Sequence, residues 1–295
     1  MNKRADMNDI GKHIDMNDKG RLIDLNDFVL FGGGFMGESY NHKQNPDIML
    51  KLYPLNWTWM AVKEHERAMQ AYALGIPTPE PGDLVRVQDG RKGILFRRIP
   101  GKKSFARAVG EDPSQTEAFA LLFADMCKRL HSTRVDTNEI PSVKDHYAGV
   151  IQGHPYLTTA QQDKVLRFIA DAPETDTALH GDLHFGNVIF RGDERWFIDI
   201  GEFSYGSPYF DLAVSMMTMK YSPEERIREL YHMDKRTSIR FLEAFLAAYF
   251  GPGCSLKDIE EELERYVVLR TLMIQRDLGF IIPERQPLVD AFFAE

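Results

Sequence analysis

Three side chains with oxygen donors stand close together in the middle of the chain. Asp182 and Asn187 lie in the segment LHGDLHFGNVIF, and Asp199 follows in the segment WFIDIG. Phosphoryl transfer requires a group that orients and deprotonates the attacking hydroxyl. It also requires hard oxygen ligands for the magnesium ion that bridges the nucleotide phosphates. A carboxylate, an amide and a second carboxylate supply these groups.

The elements that would position these side chains are two short strands. Apolar residues 188–190 and 196–198 flank the turn-forming segment RGDER at residues 191–195. This pattern predicts a β-hairpin. Because a hairpin brings its two outer ends together, we expect Asp182, Asn187 and Asp199 to converge on one small volume.

The order of these motifs resembles a known catalytic core. The pattern His-x-Asp-x-x-x-x-Asn, followed by a strand that ends in Asp, is similar to that of the protein-kinase-like superfamily. The form His-Gly-Asp, with Ile-Asp and the later GSPYFDLA at residues 206–213, resembles the aminoglycoside phosphotransferase and choline kinase family. The resemblance implies that Asp182 is the catalytic base, that Asn187 and Asp199 bind Mg2+, and that Asp211 is a structural residue of the loop.

The resemblance also implies the fold and the nucleotide. The fold class would be α+β, a two-lobed protein-kinase-like fold with a small β-rich N-lobe and a larger, mostly helical C-lobe. The expected division is an N-terminal extension with a nine-residue repeat at 1–27, a nucleotide-binding lobe at 28–100, and a catalytic and acceptor-binding lobe at 101–295. The expected cofactors are ATP, with GTP open, and Mg2+.

A glycine cluster opens the expected nucleotide-binding lobe. The segment FVLFGGGFMGESY at 28–40 predicts a strand, a glycine-rich turn and a second strand. Glycines let backbone amides approach phosphate closely. Gly32, Gly34 and Gly37 fit the Gly-x-Gly-x-x-Gly spacing, so the segment resembles the loop that covers the nucleotide.

One lysine lies in the next apolar run, IMLKL at 48–52. Lys51 matches the strand lysine that pairs the nucleotide phosphates in the resembled family. The following helix, predicted over 59–74, should carry the acidic partner of Lys51. Glu64 and Glu66 are both candidates, and Glu64 is preferred because it borders the buried stripe of the helix.

Two further strands, predicted at 84–87 and 93–97, precede a change of direction at PG, residues 100–101. The resemblance places the hinge between the lobes at about 97–101. The backbone there, at Arg97 and Ile99, would hydrogen-bond the adenine. Related families often carry an acidic residue near this point, where this chain has Arg97 and Arg98, so the choice between ATP and GTP stays open.

The remaining sequence is mostly helical in pattern. Apolar residues recur at helical spacing and predict helices over the following ranges: 116–131, 160–170, from 212 onward, 223–231, 239–249 and 256–277. Residues 144–156 have a mixed pattern. The helix after residue 211 is expected to be capped by Asp211 or by its neighbourhood.

Composition limits the class of partner. A net charge of −8 and a pI of about 5.6 argue against a nucleic-acid-binding surface and are consistent with a cationic acceptor. The two cysteines show no paired spacing, which favours a reducing cytoplasm. No apolar run approaches the roughly 20 residues of a membrane span, and the N-terminus lacks the apolar core of a secretory signal.

The favoured function is therefore an ATP-dependent transfer of phosphate to a hydroxyl of a small molecule, which could be aminoglycoside-, choline- or sugar-like. One alternative is a catalytically silent nucleotide-binding module. Another is a metal-dependent hydrolase that uses His180, Asp182 and His184. A protein substrate is disfavoured, because the Ala-Pro-Glu segment of protein kinases is missing between Asp199 and Asp211.

Overall fold

The chain, seen in a computed structural model, divides into a first unit that ends at Gly101 and a second unit that begins at Lys102. The structure describes residues 20–34 and 37–294. Two copies of the nine-residue repeat, at 6–9 and 15–18, lie outside the described residues. The third copy forms a short 3-10 turn, Leu25–Asp27, in which the N–H of Asn26 donates to the Asp24 carboxylate.

The first unit is built on one six-stranded sheet. Its strands follow the spatial order β1-β5-β6-β4-β3-β2, and only the β1–β5 pair is parallel. In chain order they are β1 Arg21–Leu22, β2 Phe28–Gly34, β3 Gly37–His42, β4 Ile48–Leu52, β5 Pro81–Arg86 and β6 Lys92–Arg97. Helix α1, Thr58–Ala73, connects β4 to β5. The predicted strand–turn–strand over the glycine cluster is confirmed.

Strand β4 shows why Lys51 faces away from the main core of this sheet. Side chains alternate between the two faces of a strand, and Leu50 and Leu52 are fully buried in a cluster with Val85 and Tyr40. Lys51 therefore points to the opposite face. Helix α1 packs there through small residues, Ala61 among them.

The second unit is mostly helical. Its helices are α2 Phe105–Glu111, α3 Thr116–Ser132, α4 Val143–Ile151, α5 Thr159–Asp171, α6 Tyr209–Lys220, α7 Glu224–Tyr231, α8 Lys235–Phe250, α9 Leu256–Leu278 and α10 Gln286–Ala294. Its strands are β7 Lys103–Ser104, β8 Ala178–Leu179, β9 Val188–Arg191, β10 Glu194–Phe197 and β11 Ser204–Tyr205. None of the helices in the described part of the chain has the length and apolar character of a membrane span.

These strands fix both ends of the segment that carries the chemistry. The predicted hairpin is confirmed as β9–β10, with Val188 opposite Phe197. Upstream, β8 pairs with β11, so Leu179 lies opposite Ser204. Residues 180–187 thus form a loop whose two ends are both held in sheets.

Helix α6 forms the centre of the unit. Every residue from 210 to 219 is buried, because α8 and α9 both pack against it. The helix begins at Tyr209, three residues before the predicted start. The expectation that Asp211 caps it is wrong, because the carboxylate of Asp211 binds other amides.

Candidate active site

Asp211 holds the start of the loop in place. Its Oδ2 accepts a hydrogen bond from the backbone N–H of His180 at 2.7 Å, and its Oδ1 accepts one from the N–H of Gly181 at 2.7 Å. Nε2 of His131 lies 3.1 Å from the same Oδ2. The carboxylate is completely buried. Donors on both of its oxygens compensate the cost of burying this charge, so the structural role implied for Asp211 has a physical basis.

His180 joins the loop to the end of the hairpin. Its Nε2–H donates to the carbonyl of Ile198 at 3.0 Å, and its Nδ1 accepts the N–H of Asp182 at 3.2 Å. Both ring nitrogens are therefore occupied by backbone groups. His184 uses its Nδ1 in the same way, accepting the N–H of Gly186 at 3.1 Å. These bonds orient the loop and disfavour a metal triplet of His180, Asp182 and His184.

Gly181 has a conformation that only glycine adopts easily. Its φ is +81°. A Cβ atom at this position would overlap the carbonyl of Glu202. The glycine of the His-Gly-Asp motif is thus required for the close approach of two backbone segments.

Asp182 and Asn187 are in direct contact. Nδ2 of Asn187 donates to Oδ2 of Asp182 at 3.2 Å and to the carbonyl of the same residue at 2.9 Å. Because its nitrogen faces Asp182, the Oδ1 of Asn187 is left as a potential metal donor. This Oδ1 accepts no hydrogen bond from any residue that the structure describes.

Asp199 lies within electrostatic range of Asp182. Its charge acts to raise the pKa of Asp182, and the backbone N–H of Ile198 donates to the carbonyl of Asn187 at 2.9 Å. Asp199 has φ of +59°, in the left-handed region. Such a conformation is uncommon outside glycine, and it is found at sites where the backbone must present a side chain in one direction. The predicted convergence of Asp182, Asn187 and Asp199 is thereby supported.

Two basic residues of this site were not anticipated from the sequence. Nη2 of Arg270, on α9, donates to Oδ1 of Asp182 at 2.7 Å, and the arginine side chain is only 12% exposed. Lys102 interacts electrostatically with Asp199, and burial lowers the pKa of this lysine while Asp199 opposes the shift. Arg270 lies within the regular apolar pattern of α9 and Lys102 follows a turn, so no local sequence pattern marks either residue as part of the site.

The pKa of Asp182 reflects these neighbours. Burial acts to raise it, but the interactions with Arg270, and then with His184 and His180, outweigh burial and hold the pKa of Asp182 below its ordinary value. The carboxylate is therefore ionised near neutral pH. It can therefore accept the proton of an attacking hydroxyl group.

In the first unit, the structure pairs Lys51 with Glu64. Nζ of Lys51 lies 2.8 Å from Oε1 and 2.7 Å from Oε2 of Glu64, and the hydroxyl of Tyr53 also contacts this carboxylate. Glu66 is exposed, with Arg67 as its ion-pair partner at 3.8 Å. Burial of Glu64 on the inner stripe of α1 is what distinguishes the two glutamates.

The glycine-rich turn is closed by pairing of Gly34 with Gly37. A Cβ on Gly37 would lie 2.6 Å from the carbonyl oxygen of Leu52, whereas a Cβ on Gly32 would meet nothing within 4 Å. Packing therefore requires glycine at 37 and leaves position 32 open. The residues at the tip, 35 and 36, lie outside the described residues.

The two residues expected to contact adenine, Arg97 and Ile99, differ in whether their backbone groups are already hydrogen-bonded. The N–H of Arg97 donates to the carbonyl of Glu80 at 2.9 Å within the sheet, so this amide is already used. The backbone groups of Ile99 form no hydrogen bond with any residue in 20–34 and 37–294. Of the two, Ile99 is the better candidate for a nucleotide contact.

A known protein family matches most of this chain. Residues 30–261 match the model of the phosphotransferase enzyme family. The chain belongs to this family. The resemblance noted from the sequence is confirmed. No curated protein matches the sequence significantly.

Solved structures of related enzymes have the same fold at low identity. One is the amicoumacin kinase hAmiN in complex with AMP-PNP, Ca2+ and Ami, which is 12% identical with a TM-score of 0.56 and covers 93% of this chain and 88% of its own. A choline/ethanolamine kinase family protein from Mesorhizobium loti is 16% identical with a TM-score of 0.54, and the match covers 90% of this chain and 85% of that protein. The aminoglycoside phosphotransferase APH(3'')-Id from Streptomyces rimosus is 21% identical with a TM-score of 0.55, and the match covers 83% of this chain and 92% of that protein. The α+β protein-kinase-like fold is thus confirmed.

Proposed function

We propose that this protein is a small-molecule kinase that transfers the γ-phosphate of ATP to a hydroxyl group. The observation that carries the proposal is the contact between Asp182 and Asn187 beside Asp199, on a loop clamped by Asp211, in a chain of the phosphotransferase enzyme family. Each of these side chains has a task in phosphoryl transfer. A structural loop alone would not need two carboxylates so close together.

Asp182 acts as the base in this proposal. Its Oδ1 is held by Arg270 and its Oδ2 by Asn187, so the carboxylate is fixed in one orientation. A fixed acceptor of the hydroxyl proton contributes roughly 10²- to 10⁴-fold to the rate of a proton-transfer step. With 34% of its side chain exposed, Asp182 can reach a bound acceptor.

Asn187 and Asp199 would hold Mg2+. The donor set fits this ion, because both side chains offer hard oxygens and the Oδ1 of Asn187 is unused by the described residues. Within the described residues no group of three or more His, Cys, Asp and Glu side chains could hold a metal ion. Magnesium needs only one or two protein side chains together with the substrate phosphates, so Asn187 and Asp199 would suffice as protein ligands. When bound, magnesium neutralises charge on the phosphoryl oxygens.

In this proposal the nucleotide is bound by residues of the first unit. Lys51, positioned by Glu64, would neutralise the α- and β-phosphates, and Gly32, Gly34 and Gly37 would let the backbone approach them. Backbone groups of Ile99 would bind the adenine. The kinase structure that is similar to this chain contains AMP-PNP, which supports ATP as the donor.

The acceptor is a small molecule in this proposal. An aminoglycoside phosphotransferase and a choline/ethanolamine kinase family protein are among the similar structures, so an aminoglycoside-, choline- or sugar-like alcohol fits the fold. Because fold does not determine the substrate, the choice depends on the groups around Asp182. We also propose that the reaction takes place in the cytoplasm, since free thiols such as Cys127 and Cys254 suit a reducing compartment.

An ATP-consumption assay over a panel of hydroxylated acceptors tests the proposal. The panel contains neutral, cationic and anionic compounds, and the Asp199→Ala variant serves as the control. We expect acceptor-dependent consumption of ATP by the wild-type protein and its loss in Asp199→Ala. Binding of Mg·ATP without transfer to any acceptor would favour the silent module instead. Tightly bound zinc without a response to ATP would favour the hydrolase.

A further inference from the structure

Arg285 is a half-buried cation that has no anionic partner among the described residues. It lies in the 3-10 turn Pro283–Arg285 that precedes α10. Its Nη1 contacts the sulfur of Met217 at 3.1 Å, and its Nε is buried without any hydrogen-bond partner in the part of the chain that the structure describes. No carboxylate of a described residue lies within 4.0 Å of its guanidinium. A thioether is a poor substitute for a carboxylate, since buried charges in proteins are normally paired.

The Arg285 guanidinium lies within electrostatic range of Arg270, the ion-pair partner of the proposed base. Burial, followed by the charge of Arg270, lowers the pKa of Arg285, and Arg226 acts in the same direction. Arg270 itself is bonded to Asp182 at 2.7 Å. Arg226, an exposed residue of α7, makes no ion pair with any residue in 20–34 and 37–294. Three guanidinium groups from three separate elements therefore act on one region.

The carboxylates near this region are largely committed to other partners. Asp182 is bonded to Arg270, and Glu202 together with Tyr147 also acts on Arg270. Glu284 is exposed and opposes the effect of burial on its neighbour Arg285 from outside the 4.0 Å ion-pair range. Arg285 and Arg226 are thus two cations of this region that form no ion pair with any described residue.

We propose that the acceptor of this kinase carries a carboxylate or phosphate group, and that Arg285 binds this group while Asp182 faces the hydroxyl. The inference rests on the proposed function, because it takes the surroundings of Asp182 as the place of the acceptor. An anionic group would supply the missing partner of Arg285, with the bidentate geometry that a guanidinium favours. A cationic acceptor would instead meet repulsion from the same arginines, so the net acidity of the chain is a poor guide to its substrate.

Thermal unfolding without nucleotide tests the proposal independently of catalysis. The melting temperature of the full chain is measured at constant ionic strength with added inorganic phosphate, gluconate, or choline chloride. A ligand at about 20 times its dissociation constant should raise the melting temperature by about 3 °C or more. We expect this shift with phosphate or gluconate, and the more effective of the two identifies the anionic group. We expect no shift with choline.

Arg285→Met removes the charge and should abolish the shift. Arg285→Gln is the second variant, for use if Arg285→Met does not fold. The matched control is Arg265→Met, because Arg265 on α9 also has a buried, unpartnered Nε but is paired with Glu262 at 3.4 Å. The control should keep the shift. Lys51→Met should keep it as well, which separates this site from the nucleotide phosphates.

Three results would overturn the inference. The first is the absence of any shift with both anions, the second is a shift that persists without the Arg285 charge, and the third is stabilisation by choline. None of these depends on turnover. Transfer of phosphate to a neutral or cationic alcohol would refute the anionic acceptor and leave the proposed function intact. A melting-temperature shift with an anion, in a protein that transfers phosphate to no acceptor, would support anion binding at Arg285 and refute the proposed function.

Discussion

Replacing Asp211 by asparagine should destabilise the second unit strongly. The carboxylate is completely buried and accepts hydrogen bonds from His180 N–H and Gly181 N–H, each at 2.7 Å, one on each oxygen. An asparagine has one acceptor oxygen, so its NH2 group must face one of these two N–H donors. The variant keeps the shape of the side chain and loses half of its accepting capacity.

The magnitude follows from those two bonds. One hydrogen bond to a charged group is lost, at roughly 1.5–3 kcal/mol, and one buried N–H is left unsatisfied, at roughly 1–3 kcal/mol. Relief from burying a charge offsets part of this sum. We therefore expect Asp211→Asn to lower the free energy of unfolding by about 3 kcal/mol, a large share of the ~5–15 kcal/mol that typical proteins have.

The assay is urea unfolding at pH 7, followed by circular dichroism. Asp193→Asn is the matched control, because Asp193 is an exposed residue in the turn between β9 and β10 and should tolerate the same change. If Asp211→Asn unfolds within about 0.5 kcal/mol of Asp193→Asn, the carboxylate does not clamp the loop and the reasoning above is wrong.

Two further predictions concern nucleotide binding and helix capping. Glu64→Gln removes the counter-charge that positions Lys51, so the affinity for Mg·ATP in a calorimetric titration should fall about tenfold, or about 1.4 kcal/mol. Glu66→Gln on the exposed face of α1 should leave the affinity unchanged, and equal effects would contradict the pairing. Asp234 caps α8 by accepting the Thr237 N–H at 2.7 Å, and the hydrogen bonds from Thr237 lower the pKa of Asp234. The cap therefore stabilises the protein above pH ~4 and loses its effect as the pH falls through the lowered pKa. Asp234→Ala should cost about 1 kcal/mol at pH 7 and less at pH 3 in urea unfolding, while Asp234→Asn should remove this pH dependence. A cost independent of pH in Asp234→Ala would contradict this linkage.

The sequence predicted those parts of the site that depend on local chain geometry. Asp182 and Asn187 share one short loop, and Asp199 follows on the second strand of the same hairpin, so spacing alone brings them together. The preference for Glu64 over Glu66 also held for a local reason, since helical periodicity places Glu64 on the buried side of α1. Such features need no knowledge of how distant elements pack.

Other features depend on contacts between distant segments and could not be predicted. Arg270 reaches Asp182 from a position 88 residues later in the chain, and nothing in the helical pattern of α9 marks it. The two-residue strands β8 and β11 are too short to show alternation, yet their pairing fixes one end of the site loop. The cap expected from Asp211 was wrong for the same reason, because its partners, including the N–H of His180, lie 30 residues or more away.

The segment predicted to be the hinge is an intermediate case. The resemblance placed the hinge at about residues 97–101, and the boundary between the two units falls after Gly101. The sequence could not show that the N–H of Arg97 is already hydrogen-bonded to Glu80, whereas the backbone of Ile99 is bonded to no described residue. Register decides which amides of a strand end are occupied, and register is set by the neighbouring strands.

The most direct measurement compares wild-type and Asp182→Asn proteins on an acceptor found in the ATP-consumption panel. Turnover and the dissociation constant of Mg·ATP are measured on the same preparations, with Asp193→Asn as the control for the substitution. We expect Asp182→Asn to lower kcat by about 10²-fold or more, with a dissociation constant for Mg·ATP within about threefold of wild type. Transfer at the wild-type rate by Asp182→Asn would show that this carboxylate is not the base.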